Sequence, residues 1–263
     1  MTVTPYYQRG TVVLYRGDCR ELLPVLLPGS VDVVVTDPPY GDTSLGWDVP
    51  VADWLTTVRP LLRPGGSVWC FGSLRMFMTQ AGEFRGWRIA QDVVWEKHNG
   101  SNPSADRFRR VHEHVVQLYP DDRPWSEVYK YPVTTQDATR RTVRRKQRPA
   151  HWGAIGERRY ESHDGGPRLM RSVIRVRSCH GHAQHPTQKP LGVLTPLIVY
   201  SAPPGALVVD PFAGSGSTLV AAAHLGRRAV GIELEEHWCE VAAMRLDTTV
   251  PGDVAGRDGQ VIG

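Results

Sequence analysis

No stretch of this 263-residue chain approaches the roughly 18 uninterrupted apolar residues of a membrane-spanning helix, and the opening MTVTPYYQRG lacks the apolar core of a secretion signal. Cysteine is scarce: Cys19, Cys70, Cys179 and Cys239 stand far apart, and none belongs to a C-x-x-C pair. Neither a zinc site nor a disulfide framework is indicated, so a reduced, cytoplasmic protein with no metal and no membrane partner is expected. Gly-Lys-Ser and Gly-Lys-Thr are absent, which disfavours a P-loop nucleotide hydrolase. There is no internal repeat and no heptad run. What remains is a globular balance, 41% hydrophobic and 22% charged, with length enough for one large α/β domain or one domain plus an insert.

The formal charge of +4 is unevenly spread. Residues 121–180 hold 14 Lys and Arg against 7 Asp and Glu, whereas the remainder holds 17 against 20. A near-neutral body with one basic segment suits contact with a polyanion through that segment; a solvated arginine-rich loop is the plainer alternative.

Periodicity gives an alternation of strands and helices. Continuous apolar or β-rich runs predict strands over Thr11–Tyr15, Val31–Thr36, Ser67–Phe71, Ile89–Trp95, His114–Tyr119, Ala206–Asp210 and Ala229–Glu233. Helices are predicted over Cys19–Leu27, Val51–Leu62, Leu74–Phe84, Leu191–Ser201 (despite Pro196), Ser217–Leu225 and Glu235–Leu246. The alternation predicts an α/β fold, a mostly parallel sheet with helices on both faces. From Pro120 to Gln184 the periodicity fades, and a segment of that length inside a compact domain points to a function or a small subdomain. The expected organisation is a first half over 1–119, an insert over 120–184, a second half of the same domain over 185–247 and a frayed tail over 248–263.

Two motifs carry chemistry. Thr36-Asp37-Pro38-Pro39-Tyr40 follows a strand buried on both faces, and ligands of open α/β sheets bind at the carboxyl ends of strands. The prolines fix the backbone and remove two N–H donors, leaving carbonyl oxygens to accept. A carboxylate, a carbonyl and an aromatic face then converge, a set that suits a planar base with an exocyclic amine. A tight turn after a strand is the alternative. The second motif runs from Leu207 to Thr218, LVVDPFAGSGST, a strand, a Gly-rich turn and a helix start. Gly214 and Gly216 let the backbone pass close to a ligand, and the helix N-terminus favours an anionic group. Glu233 ends the next strand, where an acid can accept both hydroxyls of a ribose.

With these two motifs in this order, the chain resembles the β class of amino-methylating DNA methyltransferases, in which Asp-Pro-Pro-Tyr comes first, a target-recognition region comes next and the cofactor motif comes last. The resemblance spans Val12 to Leu246 and includes Gly17-Asp18, the stretch from Arg107 to His114 and His185-Pro-Thr-Gln-Lys-Pro190. It implies a Rossmann-like methyltransferase fold with a seven-stranded, circularly permuted sheet whose two motifs end on adjacent central strands. It further implies S-adenosyl-L-methionine as cofactor, double-stranded DNA as partner, a homodimer as an open option and a modification enzyme of restriction-modification type. The first half becomes the catalytic half, the insert the target-recognition region and the second half the cofactor-binding half.

Residue roles come from the same resemblance. Asp37, Pro38, Pro39 and Tyr40 form the catalytic set. Asp18, Asp37, Lys189, Asp210, Phe212, Gly214, Gly216, Ser217, Thr218 and Glu233 line the cofactor, Asp18 at its adenine and Glu233 at its ribose. Asp18-x-x-Glu21 is equally a helix capping box, and the two roles are compatible. His185 and Lys189 order the cofactor pocket, Lys189 facing the cofactor carboxylate or else starting a surface helix. Asp37 and the Pro38 carbonyl accept the hydrogens of an amine whose lone pair is otherwise delocalised. Duplex DNA hides that amine, so the base is expected to flip out and stack on Tyr40. No cysteine follows a proline, which argues against ring-carbon methylation through a cysteine adduct. Asp in the first motif position points to adenine-N6, with cytosine-N4 the alternative; RNA or protein-glutamine methylation and a non-catalytic DNA-binding module are the readings from further away. The cluster Arg140, Arg141, Arg144, Arg145, Lys146 and Arg148 is expected to contact DNA, mostly along its phosphates.

Overall fold

The structure, a computed structural model, describes residues 3–98, 100, 106–145, 158–179 and 188–249. They divide into two compact units, one formed by the residues up to Tyr131 and those from Ser172 onward, the other by Pro132–Arg171.

The first unit is built on a nine-stranded sheet. Its strands are β1 (Tyr7–Arg9), β2 (Val12–Arg16), β3 (Val31–Thr36), β4 (Leu62–Gly72), β5 (Trp87–Glu96), β6 (His112–Pro120), β11 (Val173–Arg175), β12 (Leu207–Asp210) and β13 (Arg228–Glu233). The order is β1-β2-β13-β12-β3-β4-β6-β5-β11. From β2 through β13, β12 and β3 to β4 every pairing is parallel; β6 runs antiparallel to both β4 and β5. The seven expected strands form the interior of the sheet, and the two additional ones, β1 and β11, are short edge strands. β3 and β12 are direct neighbours, with Val33 opposite Val208 and Val34 opposite Val209. Both are buried along almost their whole length, as strands covered on both faces should be.

The helices are α1 (Cys19–Leu22), α2 (Trp54–Val58), α3 (Leu74–Thr79), α4 (Leu191–Ser201), α5 (Ser217–His224) and α6 (Glu236–Asp247). The first three stop short of their predicted ends; in the first two, Pro24 and Pro60 turn the chain into single 3₁₀ turns. Asp18 caps α1 through the Arg20 amide at 2.8 Å, so the cap is made one residue earlier than the box pattern with Glu21 requires. Two glycines set helix packing. A Cβ on Gly231 of β13 would stand 2.6 Å from Leu219 of α5, and one on Gly216 would stand 2.9 Å from Ala242 of α6, so each allows a close approach that alanine would block. Among the described residues no helix is long and apolar enough to cross a membrane.

The second unit contains two short antiparallel ribbons. β7 (Thr134–Thr135) pairs with β10 (Arg168–Leu169), and β8 (Arg141–Arg145) pairs with β9 (Arg158–Ser162), Val143 opposite Tyr160. Its boundaries lie inside the 120–184 segment because the flanks bond into the first unit. Tyr129 N–H donates to Gly65, Tyr131 N–H donates to Tyr200, and β11 pairs with β5.

Candidate active site

The two motifs meet at the carboxyl ends of β3 and β12. Thr36 Oγ donates to Asp210 Oδ1 at 2.7 Å, and Thr218 Oγ donates to the Val35 carbonyl at 3.3 Å, so each motif is bonded to the other's strand. Asp210 also accepts from the Phe212 amide at 3.1 Å. Burial lifts its carboxyl to about 6, against the pull of the Thr36 and Thr218 hydroxyls.

A cavity of about 510 Å³ opens here, lined by Asp37, Pro38, Pro39 and Tyr40 and by Asp18, Lys189, Asp210, Phe212, Gly214, Ser217, Thr218 and Glu233. Gly216 does not line it; its left-handed backbone (φ 75°) and its approach to Ala242 place it in the support of the turn. The Ser217 hydroxyl is engaged by Arg245 of α6 at 3.0 Å, and the same guanidinium reaches Ser215 Oγ at 2.9 Å, clamping the turn from behind. Phe212 packs edge-on against Trp54 at 5.6 Å. Glu233 accepts from the amides of Gly214 and Glu235, both at 2.8 Å, and burial raises its carboxyl above the usual range despite them. Asp18 is engaged by the Arg20 guanidinium at 2.6 Å, whose hydrogen bonds hold its carboxyl low.

Asp37 sits in a chain of charges. Its Oδ1 accepts from the Tyr40 hydroxyl and its Oδ2 from Lys189 Nζ. Lys189 lies 3.3 Å from Glu113 Oε2 and 5.2 Å from the centre of the Phe71 ring, and Glu113 Oε1 accepts from Lys97. Two cations thus alternate with two carboxylates. Burial is the largest influence on Asp37 and raises it, as does the Glu113 charge, while Lys189 pulls the other way. Burial also pushes Glu113 up, but Lys189 and Lys97 outweigh it and hold that carboxyl down at about 2. Burial opposes the charge on Lys189, and the two carboxylates more than offset it, leaving the ammonium above its ordinary value. Lys189 is therefore no surface helix start: it is 7% exposed, and these contacts turn its ammonium to Asp37 and Glu113.

Tyr40 differs from expectation in one respect. Its ring packs against the core and its hydroxyl is bonded to Asp37, so the side chain holds the carboxylate as well as presenting a face. The loop after it is held by buried Asp48, which accepts from the amides of Tyr40, Gly41 and Thr43 at 2.7–2.9 Å and from the Thr43 hydroxyl at 2.7 Å. Gln80 of the segment after α3 donates to the Tyr40 carbonyl at 2.9 Å. Burial of Cys19 and Cys239 pushes both thiols up to about 12, and it carries Cys70 well above its usual value; these are packing residues, not nucleophiles.

Sequence reasoning did not single out Lys97, Glu113, Asp48 or Arg245. Glu113 lay inside the stretch from Arg107 to His114 that carries the resemblance, as an acid at the start of an apolar strand, but was given no role; the others carried no signal. Of the basic cluster, Arg140 and Arg141 are exposed, and Arg144 and Arg145 continue β8. Lys146, Arg148 and His185 lie outside the described residues.

A family model described as DNA methylase matches residues 31–244. The chain is 28% identical to the Type II methyltransferase M2.DpnII of Streptococcus pneumoniae over 92% of each chain. It is 27% identical, over the same shares, to the Type II methyltransferase M2.LlaDCHI of Lactococcus lactis subsp. cremoris. The crystal structure of the M1.HpyAVI-SAM complex shares the fold at a TM-score of 0.61 and 24% identity, over 90% of this chain and 99% of that one. The PvuII DNA methyltransferase (cytosine-N4-specific) does so at a TM-score of 0.67 and 18% identity, over 95% and 92%.

Proposed function

Since the chain belongs to the N6/N4 DNA methylase family, we propose that it transfers a methyl group from S-adenosyl-L-methionine to the N6 amine of adenine in double-stranded DNA. The observation that supports this most directly is the union of the two motifs over one cavity, with Asp37 and Asp210 following and ending adjacent parallel strands. Its volume of about 510 Å³ lies in the range of small-molecule sites.

The lining fits the cofactor. A carboxylate offers about four lone-pair sites; the Gly214 and Glu235 amides take two of Glu233's, and the rest suit a pair of ribose hydroxyls. Phe212 and Trp238 supply apolar surface. Bound S-adenosyl-L-methionine supplies an electrophilic methyl on sulfur. The chain supplies the acceptors. Asp37 and the Pro38 carbonyl take the hydrogens of the target amine, freeing its lone pair, and Asp37 receives the proton that the nitrogen loses as it gains the methyl. For this Asp37 must be ionised in a buried place. Lys189 favours that form against burial and the Glu113 charge, while Glu113, held by Lys97, fixes where that ammonium sits. Tyr40 orients the carboxylate through its hydroxyl and offers its ring to the flipped base.

Asp in the first position of the motif supports adenine. Cytosine-N4 transfer is the second reading, because cytosine carries the same kind of exocyclic amine and the PvuII enzyme has the same fold. Mass spectrometry of nucleosides from DNA of cells expressing the chain should show N6-methyladenine. N4-methylcytosine alone would overturn the base assignment and leave the cofactor assignment standing.

A further inference from the structure

Near the target cavity stands an apolar side chain that none of the described residues covers. Phe108 is 99% exposed, in the segment just before β6, and Arg107, Arg109 and Arg110 around it are exposed too. The start of β6 fixes its place. Glu113, five residues on, is in the Asp37–Lys189 chain of charges, and five residues span at most about 18 Å. Arg110 is anchored 3.7 Å from Asp42, which follows Tyr40 by two residues, and Arg75 of α3 approaches the same carboxylate at 3.8 Å. The pairing of Gly72 with His114 brings the start of β6 beside the start of α3, where Leu74 and Met78 are 63% and 72% exposed. Exposed apolar side chains are ordinary when scattered singly. Here they stand at the end of the sheet where β4 finishes and β6 begins, among arginines, beside the loop that follows Tyr40 and the cavity a flipped base must enter.

We propose that Phe108 is a wedge: it enters the base stack of duplex DNA at the target, filling the space the flipped base leaves, while Arg75, Arg109 and Arg110 hold the flanking phosphates. The occupant is a DNA duplex, for two reasons. The charges complement a polyanion, and apolar side chains inserted between base steps are a known way of stabilising distorted duplexes. The proposal rests on the DNA methyltransferase reading and adds to it how the closed duplex is opened.

The test compares two duplexes carrying the modification site, mapped beforehand by modification-sensitive sequencing. In one the target base is paired; in the other it faces an abasic nucleotide, so that extrusion needs no unpairing. Single-turnover methyl transfer is measured for the wild type, Phe108→Ala and Phe108→Trp. Phe108→Ala should slow transfer to the paired duplex by roughly 10- to 100-fold and transfer to the abasic-opposed duplex by less than about threefold. Phe108→Trp should stay near the wild type on both. Equal slowing of Phe108→Ala on both duplexes, or no slowing on either, overturns the wedge while leaving the methyltransferase reading intact. A wild type that methylates neither duplex overturns the reading itself, and the wedge with it. An exposed side chain can be truncated without loss of packing, and a melting curve of Phe108→Ala that matches the wild type establishes this directly.

Discussion

The two units of the chain treat charge in opposite ways. In the first, Lys97, Glu113, Lys189 and Asp37 are drawn into an interior where each charge touches one of the opposite sign. In the second, Arg140 and Arg141 stand exposed, and β8 continues with two further arginines on a two-stranded ribbon. The difference is one of purpose as much as of place. A buried charge is costly unless paired, so an alternating row holds each carboxylate and each ammonium in one place. Exposed arginines are screened by salt, which suits reversible contact with a phosphate backbone.

The contrast is sharpest where one side chain carries the chemistry. Asp37→Ala should cut methyl transfer by about 10²–10⁴ while S-adenosyl-L-methionine affinity, measured by titration calorimetry, stays within about threefold. Comparable losses in both would make Asp37 a cofactor ligand first.

Lys189→Met tests whether the row acts through charge. It leaves two buried carboxylates facing one another, and removing one partner of a buried pair costs about 3–5 kcal/mol of stability. Asp37 is already raised by burial and by Glu113, and loss of the ammonium raises it further. The ionised fraction therefore falls at neutral pH, the acid limb of the rate profile moves to higher pH, and alkaline buffer recovers part of the activity. Pairing it with Glu113→Gln should restore much of the stability, as urea unfolding would show. A rate profile of unchanged shape would separate the row from catalysis.

Glu233→Ala should weaken cofactor binding by roughly 10- to 100-fold, since hydrogen bonds to a charged group are worth about 1.5–3 kcal/mol. In the wild type, burial raises this carboxyl, so the acceptor is present above its raised value and is lost as pH falls through it. Cofactor affinity should decline in acid accordingly, and affinity indifferent to pH would point to another ribose partner.

The smallest effect on chemistry is expected in the second unit. Neutralising Arg141, Arg144 and Arg145 on β8 should leave cofactor affinity unchanged and lower affinity for all DNA sequences alike. The slope of log affinity against log salt should flatten by about 0.9 for each phosphate that is no longer neutralised. A loss confined to one sequence would mean that the ribbon reads bases.

How much of this was legible depended on whether neighbours in space were neighbours in sequence. Val31–Thr36 and Leu191–Ser201 fall where their patterns place them, because their burial leaves a predominantly apolar run. The ribbons of the second unit left no such trace. β8 reads Arg-Thr-Val-Arg-Arg and β9 Arg-Arg-Tyr-Glu-Ser, each with a single apolar or aromatic residue and so no alternation to detect. In the site, Asp37 to Tyr40 and Asp210 to Thr218 were visible because each motif is contiguous. Lys97 and Glu113 were not: they come together only through the antiparallel pairing of β5 with β6, which sets Glu96 opposite His112 and Trp95 opposite Glu113. Lys189 was visible as a residue, but its partners were not.

The bond from Thr36 to Asp210 joins residues 174 positions apart, at the centre of the sheet. The middle of the molecule is therefore the last part to be finished as the chain leaves the ribosome. Until the strand ending at Asp210 emerges, β3 presents a valine-rich, unpaired edge, the kind of edge that invites pairing with other chains. Sequence-distant parallel pairing is slow to form. The nascent protein should depend on holding chaperones during that interval, and no fragment ending before β12 should methylate DNA. A co-expressed fragment beginning after the second unit should restore activity by supplying the missing strand in trans.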